Sequence, residues 1–162
     1  MKGKMRKEIF IDLTMVAIAL AIGMFLNKFV IANAQVPSGS METTVMAGDR
    51  IFVNRLSYAF AEPKRGDIVT FIYPDDGETL YLKRVMALPG ETIQGKDGII
   101  YIDGKALEHD FTQEISYDDF GPFHVPEDCY FMMGDNRNYS ADSRFWHNTF
   151  VRKEKIVAKV LF

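Results

Sequence analysis

The feature that most restricts this chain is an almost continuous apolar segment close to its N-terminus. From Phe10 to Ile31 the polar exceptions Asp12, Asn27 and Lys28 lie near the two ends. A helix made from it is apolar on all sides and offers no single face to a core, which weighs against a buried core helix. The uninterrupted stretch, Leu13 to Leu26, is shorter than the roughly 20 residues that cross a bilayer. Its apolar flanks extend the segment to 22 residues, with Lys28 reaching back to the interface. Lys2, Lys4, Arg6 and Lys7 precede it, so residues 1–9 are expected in the cytoplasm and 10–31 as a transmembrane anchor. A cleaved secretory signal is the rival reading, because Ala32-Asn33-Ala34 fits the small-x-small cleavage pattern. Both readings place residues 35–162 outside the cytoplasm.

Beyond residue 7 the chain carries 15 basic and 22 acidic side chains, a balance opposite to that of a nucleic-acid-binding domain. Its one cysteine, Cys129, cannot form an internal disulfide and reads as an inert thiol at the start of a strand.

After Gln35 the pattern changes to short runs rich in β-branched and aromatic residues, divided by Gly, Pro and Asp. Ile51–Val53, Asp67–Tyr73, Leu80–Leu88, Ile99–Ile102, Tyr130–Met133 and Ile156–Phe162 are the expected strands. Asp103-Gly104 is a hairpin-turn signal. The fold class expected is mainly β: an N-terminal helix followed by a barrel-like antiparallel domain over 35–91 and 129–162. Residues 92–128, with a hairpin at 92–102 and no clear period afterwards, read as a small excursion.

Two stretches imitate known chemistry. Gly90 to Asp97 nearly matches a phosphate loop, but Asp97 replaces the metal-binding hydroxyl and a strand follows where a helix is needed. Asp135 to Asp142 has some calcium-loop spacing, but no glycine at the sixth position and Trp146 where a bidentate glutamate belongs. His109, His124 and His147 are too scattered for a metal site, and no cofactor or metal is called for.

Three other segments carry the functional reading. Ser40 lies in Pro37-Ser38-Gly39-Ser40-Met41, where a second hydroxyl stands two residues before it. Lys83 lies on an expected strand whose alternation places Tyr81, Lys83, Val85 and Ala87 on one face and Arg84 on the other. A lysine in an apolar row has a depressed pKa, whereas arginine does not deprotonate, so a base in this strand must be Lys83. Gly134 to Arg144 is a dense polar stretch. It reads either as an exposed turn or as a loop in which Ser140 orients an amine and Asp142 pairs with Arg144.

Together, Ser-Gly-Ser-Met, Lys-Arg-Val with Leu-Pro-Gly, and Gly-Asp-Asn-Arg with Ser-x-Asp-Ser-Arg resemble the boxes of the bacterial type I signal peptidases, in the same order. The resemblance covers most of residues 36–162. It implies that Ser40 is the nucleophile and Lys83 the general base. It also implies that Ser38 supplies an oxyanion-hole hydroxyl, that Ser140 hydrogen-bonds the lysine amine, and that Asp142 and Arg144 form a supporting pair. The implied substrates are exported preproteins with small residues at the first and third positions before the cut. The bilayer is a further implied partner, the export machinery another. Thr43 and Val45 depart from the family's usual Pro and Leu, and Met86-Ala87 from its usual Ile-Gly. Two rivals are a cytoplasmic self-cleaving regulator and an anchored peptide-binding module without catalysis. The apolar segment disfavours the first, and the combination of Ser40, Lys83 and Ser140 the second.

Overall fold

The computed structural model describes residues 2–25, 31–108, 111–112 and 114–161. Helix α1 spans Lys2–Phe25. Its side chains from Ile9 to Met24 are all exposed. Among the described residues no helix is long and apolar enough to cross a membrane. The expected anchor ran to Ile31, but Ile31 already opens strand β1 (Ile31–Gln35). Residues 26–30 lie outside the described part. The strand forms because Ile31 to Gln35 pairs along its whole length with β2 (Arg50–Asn54). The small-x-small stretch Ala32-Asn33-Ala34 is therefore part of a sheet.

The remaining strands follow the hydrophobic runs: β3 (Ile68–Ile72), β4 (Leu80–Ala87), β5 (Thr92–Lys96) and β6 (Ile99–Ile102). Then come β7 (Lys105–Ala106), β8 (Phe120–His124), β9 (Cys129–Met133), β10 (Val151–Arg152) and β11 (Ile156–Val160). They form an antiparallel seven-stranded sheet in the order β1-β2-β11-β3-β4-β9-β10, and a four-stranded sheet in the order β7-β6-β5-β8. The smaller sheet is built from strands between Thr92 and His124. Within it, β8 lay in a stretch without visible period. Its residues Phe120-Gly121-Pro122-Phe123-His124 interrupt any alternation, and it exists because it pairs with β5.

Turn chemistry explains the smaller sheet. Asp97-Gly98 joins β5 to β6 and Asp103-Gly104 joins β6 to β7, with positive φ at all four residues (52°, 75°, 50° and 75°). That is the backbone a tight two-residue hairpin demands. The phosphate-loop imitation is thus a strand and its turn.

Three buried clusters organise the molecule. One, at the β1-β2-β11 end, takes in Met41 and Val45 from the loop after β1. The second groups Phe71, Tyr130 and Trp146, with Tyr73 and Tyr81 packed against it. The third joins the two sheets through Met86, Ala87, Ile93, Ile100, Phe131 and Met133. Phe131 is at its centre, fully buried, with the rings of Phe123, Phe120 and Phe150 at 5.5, 6.0 and 6.3 Å. Phe131→Ala should therefore cost about 3–5 kcal/mol of stability. Equilibrium denaturant unfolding measures this, and a loss below about 1 kcal/mol would show that the joint between the sheets does not depend on that ring.

Candidate active site

The segment after β1 is a compact loop whose backbone closes on itself. Val36 N–H donates to Asp49 O at 2.9 Å and Gly48 N–H to Val36 O at 2.8 Å. Thr44 and Val45 both donate to Met41 O, making a tight turn. Met41 is fully buried and Val45 nearly so, so the loop is plugged into the first core cluster immediately after Ser40. A hydrophobic anchor at residue 41 fixes the residue before it better than a polar surface loop would.

Lys83 comes from the middle of β4, paired across to Val69 of β3. Its Nζ lies 2.6 Å from Ser40 Oγ. The side chain is 4% exposed, and its amine stands 5.5 Å from the centre of the Tyr81 ring. Burial removes water from the charged form and pushes the amine pKa down to about 8, against the opposing pull of Asp142 and Asp135. Those two carboxylates are held by arginines. Asp135 receives Arg84 through Nε and Nη2, at 2.8 and 2.6 Å. Asp142 receives Arg144 at 2.8 and 2.9 Å and also accepts the Gly134 N–H. Both acids are fully buried.

These pairs shape the loop Gly134–Arg144 against the serine loop. Asn136 donates its N–H to Ser40 O at 3.2 Å and its Nδ2 to Gly39 O at 2.9 Å. Arg144 Nη2 donates to Arg137 O at 2.6 Å. Gly134 allows the approach: a Cβ there would lie 2.2 Å from Ser140 Oγ and 2.3 Å from Ser40 O. Ser38 Oγ is 3.4 Å from Ser40 Oγ. The Ser40 N–H has no acceptor among the described residues.

Ser40, Lys83, Ser38, Ser140, Asp142 and Arg144 are therefore brought together, and the expected Asp142–Arg144 pair is formed. One expectation differs. Ser140 was to hydrogen-bond the lysine amine, but its Oγ is buried without a partner. The amine is directed instead at Ser40 Oγ, and Ser140 Oγ sits in the space beside Gly134. Arg84, assigned only to the opposite face of the strand, proves to be the residue that ties β4 to the loop through Asp135. The basic pair Lys83-Arg84 was the available signal, since adjacent cations facing opposite ways into apolar rows each need a reason. Asn136 carried no signal: its two bonds depend on a loop 97 residues away.

The dyad opens into a groove of about 1040 Å³, lined among others by Ala34, Val36, Ile51, Thr70, Tyr81, Leu82 and Tyr139. Two extended segments, β1 and β4, contribute to its walls. An extended peptide laid along it would meet a hydroxyl nucleophile with an adjacent low-pKa amine, which is the equipment of a serine hydrolase using lysine as base.

The family model described as "Signal peptidase, peptidase S26" matches residues 8–162. A probable signal peptidase I-2 from Synechocystis is 37% identical over 149 residues, covering 88% of this chain and 66% of that protein. The signal peptidase I P of Bacillus subtilis subsp. natto is 35% identical over 164 residues, covering 94% of this chain and 88% of that one. Among solved structures, a signal peptidase I from Enterococcus faecalis superposes with a TM-score of 0.53 at 33% identity, over 63% of this chain and 98% of that one.

The buried lysine carries a stability signature. With the folded pKa at about 8 and the ordinary value at 10.5, the unfolded chain binds the proton more tightly. Below pH 8 burial costs its full amount, about 3 kcal/mol, and stability recovers as pH rises from 8 towards 10.5. Lys83→Met should accordingly be more stable than the wild type at pH 7, by about 2 kcal/mol after the loss of the Ser40 hydrogen bond. The difference should shrink with pH over that window. A difference that stays flat from neutral to strongly alkaline pH in chemical unfolding would contradict the burial of a titrating amine.

Proposed function

Since the chain belongs to the signal peptidase family, and so is a serine peptidase of that family, we propose that it removes signal peptides from exported preproteins with Ser40 as nucleophile and Lys83 as general base. The observation that carries this reading is the 2.6 Å contact between Ser40 Oγ and a lysine amine that is 4% exposed.

Neutral Lys83 takes the Ser40 proton as Oγ attacks the scissile carbonyl. The carbonyl becomes an oxyanion held by the Ser40 N–H and the Ser38 hydroxyl. Each such donor is worth about 3 kcal/mol in the transition state. The lysine ammonium then passes its proton to the leaving amine, and the C–N bond breaks to leave an ester on Ser40. Water, deprotonated by the same lysine, attacks that ester and releases the new carboxylate. Ser140 fills the space beside the dyad. Asp142 and Arg144 hold the 134–144 loop against the serine loop, while burial, opposed by the charge of Asp142, keeps the amine pKa low.

The substrate is an extended segment with small residues at the first and third positions before the cut, which matches a groove shared by Ala34, Tyr81 and Leu82. The apolar segment that starts at Phe10, and that continues in sequence past the described helix into residues 26–30, anchors the enzyme in the cell membrane with the β domain outside the cytoplasm. That is supported by the continuous exposure of Ile9 to Met24 and by the basic residues before them. The preprotein's own apolar segment lies in the same bilayer, and contact with the export machinery follows from the shared location.

Ser40→Ala and Lys83→Ala should each lower preprotein cleavage by at least about a thousandfold, with the β domain still folded by circular dichroism. Lys83→Arg should be equally inactive, because its charge is permanent. Wild-type cleavage should rise through a pKa of about 8 as the amine loses its proton. N-terminal sequencing of the product and a pH–rate profile check both. Appreciable cleavage by Lys83→Arg would rule the lysine out as base.

A further inference from the structure

Resting on the reading above, we propose that Glu42 and Glu114 make the groove selective for a cationic substrate side chain next to the scissile bond. Lys83, Glu42 and Glu114 are the charged residues among those that line the groove. The mechanism requires Lys83 to be neutral when the nucleophile attacks. At that moment the described lining carries two negative charges and no positive one.

The two carboxylates stand on different elements. Glu42 follows the nucleophile by two residues and folds back over the serine loop. A Cβ built on Gly39 would lie 2.8 Å from Glu42 Oε1, so the carboxylate occupies the space that a side chain at Gly39 would fill. It makes no hydrogen bond or ion pair among the described residues. Glu114 comes from the excursion and is fixed at the groove by one neutral contact, Asn138 Nδ2 to Oε1 at 2.8 Å. Four other acids are each matched by a cation. Asp135 pairs with Arg84, Asp142 with Arg144, Glu91 with Arg65 and Asp67 with Lys159. Among the described residues Glu42 and Glu114 are half-buried acids without such a partner, and both line the groove.

A carboxylate against the loop whose Ser40 N–H serves the oxyanion opposes the charge that develops there. A lysine or arginine on the substrate offsets that opposition and is attracted in the ground state. An aspartate or glutamate adds to it. The expected consequence is a ranking by charge at positions that flank the cut, superimposed on any requirement for small residues.

The test uses the full chain in detergent and preproteins identical except for Lys, Gln or Glu at the second position before the cut and the first two after it. The wild type should cleave the Lys form over the Glu form by roughly tenfold or more in kcat/KM at one of these positions or more, and high salt should shrink that ratio. Glu42→Gln and Glu114→Gln should each lower the ratio by about three- to tenfold, and Glu42→Lys should reverse it. Each ratio is taken within one enzyme, so a general loss of activity cancels. Equal cleavage of Lys and Glu forms by the wild type at all three positions would overturn the proposal, as would a ratio that survives in the double variant E42Q/E114Q. Cleavage of the Gln form by Ser40→Ala would instead overturn the dyad on which the proposal rests.

Discussion

A lysine amine beside a serine hydroxyl is ordinary at a surface, where it stays fully charged, and the rest of this site depends on the burial that lowers the pKa of that one amine. At 4% exposure the charged form of Lys83 loses most of its hydration, and its pKa falls to about 8. The opposing fields are considerable, since two buried carboxylates lie close enough to pull the pKa back up. What limits them is that Arg84 and Arg144 already hold those carboxylates through paired hydrogen bonds. The arginine–carboxylate pairs do two things at once: they fix the 134–144 loop against the serine loop, and they spend on each other the charge that would otherwise protonate the amine.

That arrangement also explains why the site is divided among distant segments. The serine loop is held from below by Met41 and Val45 in the core and from the side by Asn136. The lysine is held by a central strand, flanked by β3 on one side and β9 on the other. The covering loop passes directly from β9, and Gly134 lets it close to van der Waals distance of Ser40. Ser40 and Lys83 lie 43 residues apart and are joined only by tertiary structure. A rigid sheet is the simplest way to hold such a distance within hydrogen-bond tolerance.

Much of this was legible in the chain. The strands with unbroken β-branched or aromatic runs, β2, β3, β4, β6, β9 and β11, appear where the runs are. The Asp103-Gly104 turn takes the backbone its sequence demands. The elements that escaped are those whose residues have no local preference for a strand: β8, with glycine and proline at its centre, and the two-residue β7 and β10. They are strands because a neighbour offers them hydrogen bonds, which no local pattern records. Strand β1 was missed for a different reason. Its apolar residues Ile31, Ala32 and Ala34 continue the composition of the segment before it, so the boundary between helix and sheet does not show as a change in hydropathy. The site divides along the same line. Residue types that chemistry needs were recognisable, including the depressed lysine and the Asp142–Arg144 pair. Contacts decided by packing, such as the place of Ser140 or the grip of Arg84 on Asp135, were not.

The β1 boundary bears on how the proposed anchor and the groove relate. Ala34 is in β1 and also lines the groove, and β1 begins six residues after the last residue of α1. Six peptide units reach at most about 20 Å when fully extended. Under the proposed anchoring, the strand that forms one groove wall is therefore tethered within about 20 Å of the membrane-embedded helix, whatever path the connection takes. A substrate whose own apolar segment ends at the same interface needs only a short extended stretch to reach Ser40. A short stretch of that kind has few conformations to lose on binding, so the tether lowers the entropic cost of delivering the scissile bond. With the chain anchored as proposed, the apolar segment that first restricted the fold contributes to the chemistry by position alone: it fixes the height above the membrane at which the low-pKa amine meets the chain to be cut.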